Sequence, residues 1–125
     1  MQAAADALLK ENYDFVYIHV EAPDEMGHQG LVNEKVQAIE NIDKLIVGPL
    51  AERMEASGED YRMVILPDHP TPIRIRTHSN GPIPYLLYDS TKRLGDFTAY
   101  NETVGEQSGI IKKDGYQLID LLFHN

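Results

Sequence analysis

Arg62-Met63-Val64-Ile65-Leu66-Pro67-Asp68-His69-Pro70-Thr71-Pro72 passes within eleven positions from a short apolar run into three prolines and an Asp-His pair. Proline fixes φ and removes a backbone donor, so the run reads as a strand that ends where Pro67 begins an irregular segment. Asp68 and His69 therefore sit at a strand end. A little further on, Arg76-Thr77-His78-Ser79 adds a second imidazole. Neighbours on a regular strand point to opposite faces, so Asp68 and His69 can reach one ligand only because the backbone has left the pleat.

A second polar cluster lies about forty residues upstream, in His19-Val20-Glu21-Ala22-Pro23-Asp24-Glu25-Met26-Gly27-His28. It too follows an apolar run, Phe15-Val16-Tyr17-Ile18, and is broken by proline and glycine. Imidazole with carboxylate suits divalent ions such as Zn²⁺ and Mn²⁺, and Asp24 with His28 can meet across one helical turn. A lone histidine is more often a hydrogen-bonded surface residue than a ligand, and an aspartate at a strand end can cap a helix or close a turn. The joint pattern carries more weight. Of the histidines, 19, 28, 69 and 78 fall in the two loops, and only His124 lies elsewhere, near the end of the chain.

Composition bounds the answer. A chain of 125 residues is one domain at most, burying roughly two thirds of the surface its extended form exposes. Hydrophobic content of 42% and charged content of 25% are ordinary for a globular protein. No apolar run approaches the roughly 20 residues needed to cross a bilayer, and the start lacks the pattern of a signal peptide, so the expected location is cytoplasmic, with no membrane partner. The absence of cysteine rules out disulfides and thiolate metal sites. A net charge of −9 argues against nucleic acid as a partner and is compatible with cation binding.

Helix and strand alternate along the chain. Ala3 to Asn12 reads as helix, followed by a strand from about Asp14 to Val20. Val36, Ile39, Asp43 and Ile46 share a helical face, predicting a helix over 33–47 capped by Asn33. Gly48-Pro49 interrupts it, and a further helical stretch runs from Pro49 through Met54 to Ser57, stopped by Gly58. Ile83 to Asp89 is another strand, Asn101 caps a short helix, and Gly115 to His124 forms a last helix with Leu118, Ile119, Leu121 and Leu122 inward. Arg74 and Arg76 share a face if their segment is extended, and could then steady a phosphate. The alternation implies an α/β fold with a mostly parallel sheet flanked by helices. Both polar loops then fall at carboxyl ends of strands, where open α/β sheets bind ligands.

The combination of His19-x-Glu21-x-x-Asp24-Glu25-x-Gly27-His28-x-Gly30, Lys35, Ile39-Glu40 and Asp43, Asp68-His69-Pro70-Thr71-Pro72 and Arg76-Thr77-His78-Ser79 resembles the cofactor-independent phosphoglycerate mutases of the archaeal type, within the alkaline phosphatase superfamily. The resemblance covers nearly the whole chain. It implies two divalent metal ions, Mn²⁺ or Zn²⁺ before Mg²⁺, and no 2,3-bisphosphoglycerate cofactor. Asp24, His28 and His78 would hold one ion, and Asp68 and His69 would contribute to the other. His19, Glu21, Glu25, Arg76 and Lys35 are candidates for orienting the ligands or touching the substrate. The implied activity is interconversion of 3-phosphoglycerate and 2-phosphoglycerate through a phosphoenzyme, a step of glycolysis and gluconeogenesis, with a phosphorylated small molecule as substrate.

The departures from the family pattern matter equally. The family's first metal-binding aspartate and its Ser or Thr nucleophile precede its inserted domain, and neither has a counterpart here; Ser79 does not occupy the nucleophile's place. Residues 1–125 are therefore expected to be the C-terminal metal-binding portion of an alkaline phosphatase-like domain, inactive in isolation and prone to self-association through the surface where strands are missing. Two alternatives stay open: another superfamily phosphotransferase or hydrolase, including genes labelled homoserine kinase, and a non-catalytic metal-binding module.

Overall fold

The structure, a computed structural model, describes residues 1–123. It divides into two compact units, one of residues 1–59 with 71–79, the other of residues 60–70 with those from 80 onward.

In the first unit, α1 (Gln2–Leu9) is built largely from alanine and leucine, the strongest helix formers. Ala5 and Met54 are buried, and Arg53 donates to the Asp6 carboxylate at 2.8 Å, tying α1 to α4 (Gly48–Ser57). That hydrogen bond holds the Asp6 carboxyl below its ordinary range, with Lys10 adding to the effect. Residues 13–20 follow in an irregular course rather than the expected strand. Strand-forming residues become a strand only beside a partner that takes their N–H and C=O groups. Among the described residues this segment belongs to no sheet, and Phe15, Tyr17, Ile18 and Val20 are exposed. Apolar side chains at consecutive positions suit a strand covered on both faces.

Helix α2 (Ala22–Gln29) starts with Pro23 in its first turn, followed by Asp24 and Glu25, whose charges complement the helix N-terminus. It ends on Gly30 at φ 69°. The N–H groups of Gly30 and Leu31 return to the carbonyls of Gly27 and Met26 at 3.1 and 3.0 Å, which satisfies the last turn. Helix α3 (Val32–Ile42) packs on α2 and continues through a π-helical turn (Asp43–Val47) into α4.

Three expectations are corrected in this run. The capping position is Leu31, with no side-chain cap, rather than Asn33. Gly48-Pro49 does not break the helix: Gly48 is helical at φ −58° and ψ −56°, and the wider π turn accommodates the missing proline N–H and the bulk of its ring. The covered side of α3 carries Lys35, Ala38 and Ile42, with Ile46 in the following turn. Val32, Val36 and Ile39 are instead 54%, 50% and 52% exposed, so the apolar stripe is wider than the surface this unit offers it.

Residues 71–79 return to the first unit. Ile75 and Arg76 donate to the Pro72 carbonyl at 3.2 and 2.9 Å, and Arg76 adopts φ 54°. The segment is thus a tight turn, and Arg74 and Arg76 do not share the face an extended chain would give them.

In the second unit β1 (Arg62–Ile65) pairs antiparallel with β2 (Leu86–Asp89), Arg62 opposite Asp89 and Ile65 opposite Leu86. This two-stranded sheet is the only one among the described residues, so the expected parallel order is not seen within them. β2 is shorter than the expected 83–89 because Pro82 and Pro84 cannot donate to a ladder. Asp89, the last residue of β2, is buried, accepting from the Thr91 hydroxyl and N–H at 2.6 and 2.8 Å and from Arg62 Nε at 2.7 Å. These bonds, Thr91 first, lower its pKa to about 2.

Asn101 caps α5 (Glu102–Ser108) as expected, its Oδ1 accepting from Val104 N–H at 2.9 Å. Tyr100, whose hydroxyl donates to the Pro84 carbonyl, has its pKa pushed up to about 12 by burial, with Glu102 contributing. The last helix begins as a 3₁₀ turn (Gly115–Ile119) and becomes α-helical only at α6 (Asp120–Phe123); His124 lies outside the described residues. Leu118, Leu121 and Leu122 are half-buried, while Ile119, expected inward, is exposed. Arg62 donates to the Leu121 carbonyl at 3.0 Å, fastening α6 to β1. No helix among the described residues is long and apolar enough to cross a membrane.

Candidate metal centre

Asp24 and His28 are one turn apart on α2, so their side chains project from the same face. Asp24 Oδ2 lies 3.3 Å from His28 Nε2. The turn at 72–76 then brings His78 over this pair: its Nε2 is 3.2 Å from Asp24 Oδ1 and 3.0 Å from His28 Nε2. All three side chains remain partly open to solvent, leaving room for a further ligand.

The tautomer of His28 follows from its other nitrogen. Nδ1 lies 3.1 Å from the Arg76 carbonyl, which can only accept, so Nδ1 carries the proton. In that neutral tautomer the Nε2 lone pair faces His78 and Asp24. An imidazole held this way, its outer N–H on a carbonyl, is the arrangement seen when histidine ligates a metal. The donor spacing agrees. Bonds of about 2.0–2.1 Å in a tetrahedral site put ligand atoms roughly 3.3–3.4 Å apart, close to the 3.0–3.3 Å found here. The donor set of two neutral nitrogens and a carboxylate fits a borderline divalent ion.

The support beneath this trio includes Thr71 and Lys35. Thr71 Oγ1 donates to Asp24 Oδ1 at 2.6 Å, and Lys35 Nζ donates to the Thr71 carbonyl at 2.7 Å. Gly27 lets α2 approach: a Cβ there would stand 2.8 Å from the Thr71 carbonyl oxygen. Arg76 lays its guanidinium over Gly30, where any Cβ would run into it, so it packs on the end of α2 while its carbonyl orients His28.

Of the residues singled out by the sequence, those of the first unit that the structure draws together are Asp24, His28 and His78. Asp68 and His69 follow β1 in the second unit; Asp68 is 74% exposed and its Oδ2 is 3.9 Å from His69 Nε2, beyond hydrogen-bond reach. His19 and Glu21 stand just before α2, also 3.9 Å apart and largely exposed. Glu25 is exposed in the first turn of α2. The role of the Thr71 hydroxyl and the use of Arg76 through its backbone escaped the sequence reading. Thr71 is 47 positions from Asp24, and no spacing rule links them.

Residues 1–114 match the family model described as the metalloenzyme superfamily. The chain is 41% identical over 121 residues to a protein of Geobacter sulfurreducens named probable 2,3-bisphosphoglycerate-independent phosphoglycerate mutase; the match covers 96% of this chain and 30% of that protein. It is 43% identical over 122 residues to the 2,3-bisphosphoglycerate-independent phosphoglycerate mutase of Methanothrix thermoacetophila, covering 98% of this chain and 31% of the relative. A Methanosarcina mazei protein of the same name is 46% identical over 92 residues, covering 74% of this chain and 23% of its own length. The chain thus spans about a third or less of these relatives. No solved structure matches. With nearly its whole length covered by that family model, the chain belongs to the metalloenzyme superfamily.

Proposed function

We propose that the chain is the C-terminal, metal-binding portion of a 2,3-bisphosphoglycerate-independent phosphoglycerate mutase that interconverts 3-phosphoglycerate and 2-phosphoglycerate in the cytoplasm. The observation that carries this reading is the convergence of His28 Nε2, His78 Nε2 and the Asp24 carboxylate at 3.0–3.3 Å from one another. The names of the relatives supply the reaction. Asp24, His28 and His78 are assigned to one divalent ion, Mn²⁺ or Zn²⁺ before Mg²⁺, and Asp68 with His69 to a second. On the same reading, residues 13–20 and β1 would join a mostly parallel sheet completed by the rest of a longer polypeptide.

Bound divalent ions supply positive charge that offsets the negative charge of a phosphoryl group in transfer. The chain's own residues do the rest of the work assigned to it. Asp24 contributes the negative charge that makes the cluster selective for cations. His28, its Nδ1 proton held by the Arg76 carbonyl, keeps its Nε2 lone pair available, and the solvent-open side leaves space for substrate oxygens. His19, Glu21, Glu25, Lys35 and Arg76 are the polar groups proposed to orient ligands or meet the substrate. The hydroxyl nucleophile is assigned to none of the residues in this chain.

The direct test supplies 3-phosphoglycerate and Mn²⁺ to the 125-residue chain and to a longer protein carrying it behind the N-terminal two thirds of a relative. The expected result is 2-phosphoglycerate from the longer protein only, abolished by His28→Ala. Release of inorganic phosphate without 2-phosphoglycerate would replace the mutase reading with a superfamily hydrolase, and turnover by the short chain would refute the assignment of the nucleophile elsewhere.

A further inference from the structure

Asp24 carries more than one ligand-like contact, so something must set the plane of its carboxylate. The torsion that turns an aspartate carboxylate is soft, with broad minima. A carboxylate on an exposed helical turn would sample orientations in which its oxygens no longer face both histidines. In this structure Oδ1 is 2.6 Å from the Thr71 hydroxyl and 3.2 Å from His78 Nε2, while Oδ2 is 3.3 Å from His28 Nε2. The hydroxyl bond is short, as expected when the acceptor is charged. It fixes which oxygen points to which imidazole.

Thr71 is itself held from several directions. It is only 6% exposed in a chain whose site is otherwise open. Its β-branched side chain has few χ1 choices, and the prolines at 70 and 72 restrict the backbone around it. Its carbonyl receives Lys35 Nζ from α3 at 2.7 Å and lies against Gly27 of α2, where a Cβ would come within 2.8 Å. A buried hydroxyl clamped between two helices and aimed at one carboxylate oxygen is better suited to orienting that carboxylate than to filling space.

We infer that Thr71 is the positioning residue of the metal centre, presetting the Asp24 carboxylate for the ion through its hydroxyl, with Lys35 anchoring Thr71 through the backbone. This rests on the assignment of Asp24, His28 and His78 as ligands. Outer partners of metal ligands typically contribute about 10–100-fold to affinity, and a loss in that range is expected on removing the hydroxyl.

The test compares Thr71→Val, which keeps shape but removes the hydroxyl, with Thr71→Ser, which keeps the hydroxyl but drops a methyl. Mn²⁺ affinity of the 125-residue chain is read by the loss of the free-ion electron paramagnetic resonance signal, with thermal melts alongside. The metal-free chain, labelled with ¹³C at aspartate carboxyls, gives the second readout. Thr71→Val is expected to weaken Mn²⁺ by about 10–100-fold and to move the Asp24 carboxyl resonance without metal. Thr71→Ser should stay within about threefold of wild type and leave that resonance in place, even if its melting temperature falls as far as that of the valine variant. Equal weakening by both variants, or affinity that follows melting temperature alone, would assign Thr71 a packing role and overturn the inference. Wild-type affinity in Thr71→Val would do the same. Wild-type chain that binds no Mn²⁺ would overturn the ligand assignment with it, and is distinguishable because it precedes any effect of the variants.

Discussion

At Gly27, helix α2 lies close against the backbone of the returning segment 71–79, and a single methyl group is enough to test how tightly the site is built. Alanine is the better helix former by roughly 0.8–1.0 kcal/mol, yet its Cβ would stand 2.8 Å from the Thr71 carbonyl oxygen and 3.0 Å from Thr71 Cγ2. Backbone cannot yield as a flexible side chain can, so the clash outweighs propensity. Gly27→Ala is expected to destabilise the chain by about 1–3 kcal/mol in urea unfolding, as overpacking does; a gain in stability would show that the segment is free to move away. Residue-level chemistry was legible where it depended on short spacing. Asp24 and His28, four apart, could be paired from the sequence, and His78 was reached through its motif. Thr71 and the Arg76 carbonyl were not legible, because a hydroxyl bond across 47 positions and a carbonyl turned by a positive φ leave no local trace.

Elements follow the sequence where the signal is local. The cap at Asn101, the stop at Gly58 and the proline in the first turn of α4 all appear as read. What failed was the reading of environment. The period of α3 was correct but its covered side was not, since periodicity defines a stripe without saying which edge of it meets a neighbour. Likewise residues 13–20 have the composition of a strand but belong to no sheet among the described residues. The short sheet of the second unit offers a test at this scale through Asp89. Its pKa is lowered to about 2 from an ordinary 3.8 by the Thr91 hydroxyl and N–H and by Arg62. A lowered folded-state value means stability that is complete above the ordinary pKa and is lost as pH falls toward about 2. Urea midpoints measured from pH 5 down to pH 2 should therefore fall through this window. Asp89→Asn should be less stable at pH 5 and show a shallower decline; an unchanged acid limb would mean that Asp89 is not the group responsible.

Across the whole molecule, apolar surface is left open. Among the described residues no large side chain is fully buried, while Tyr13, Tyr17, Ile111, Tyr116 and Phe123 are all exposed. The chain spans about 30% of the length of relatives it matches at 41–43% identity. Exposed apolar area of this kind favours association. Sedimentation over a range of concentrations is expected to show self-association of the 125-residue chain, accompanied by binding of a hydrophobic dye. A strictly monomeric chain that leaves the dye dark would contradict that expectation.

The assignment of Asp24, His28 and His78 to one ion is tested most directly by electron spin-echo spectroscopy of Mn²⁺ added to the chain. Two imidazole nitrogens coupled to the ion at this centre are predicted, one lost in His28→Gln and one in His78→Gln, with binding at this centre abolished in Asp24→Ala. Bound Mn²⁺ without nitrogen couplings, or couplings untouched by either histidine substitution, would contradict the account.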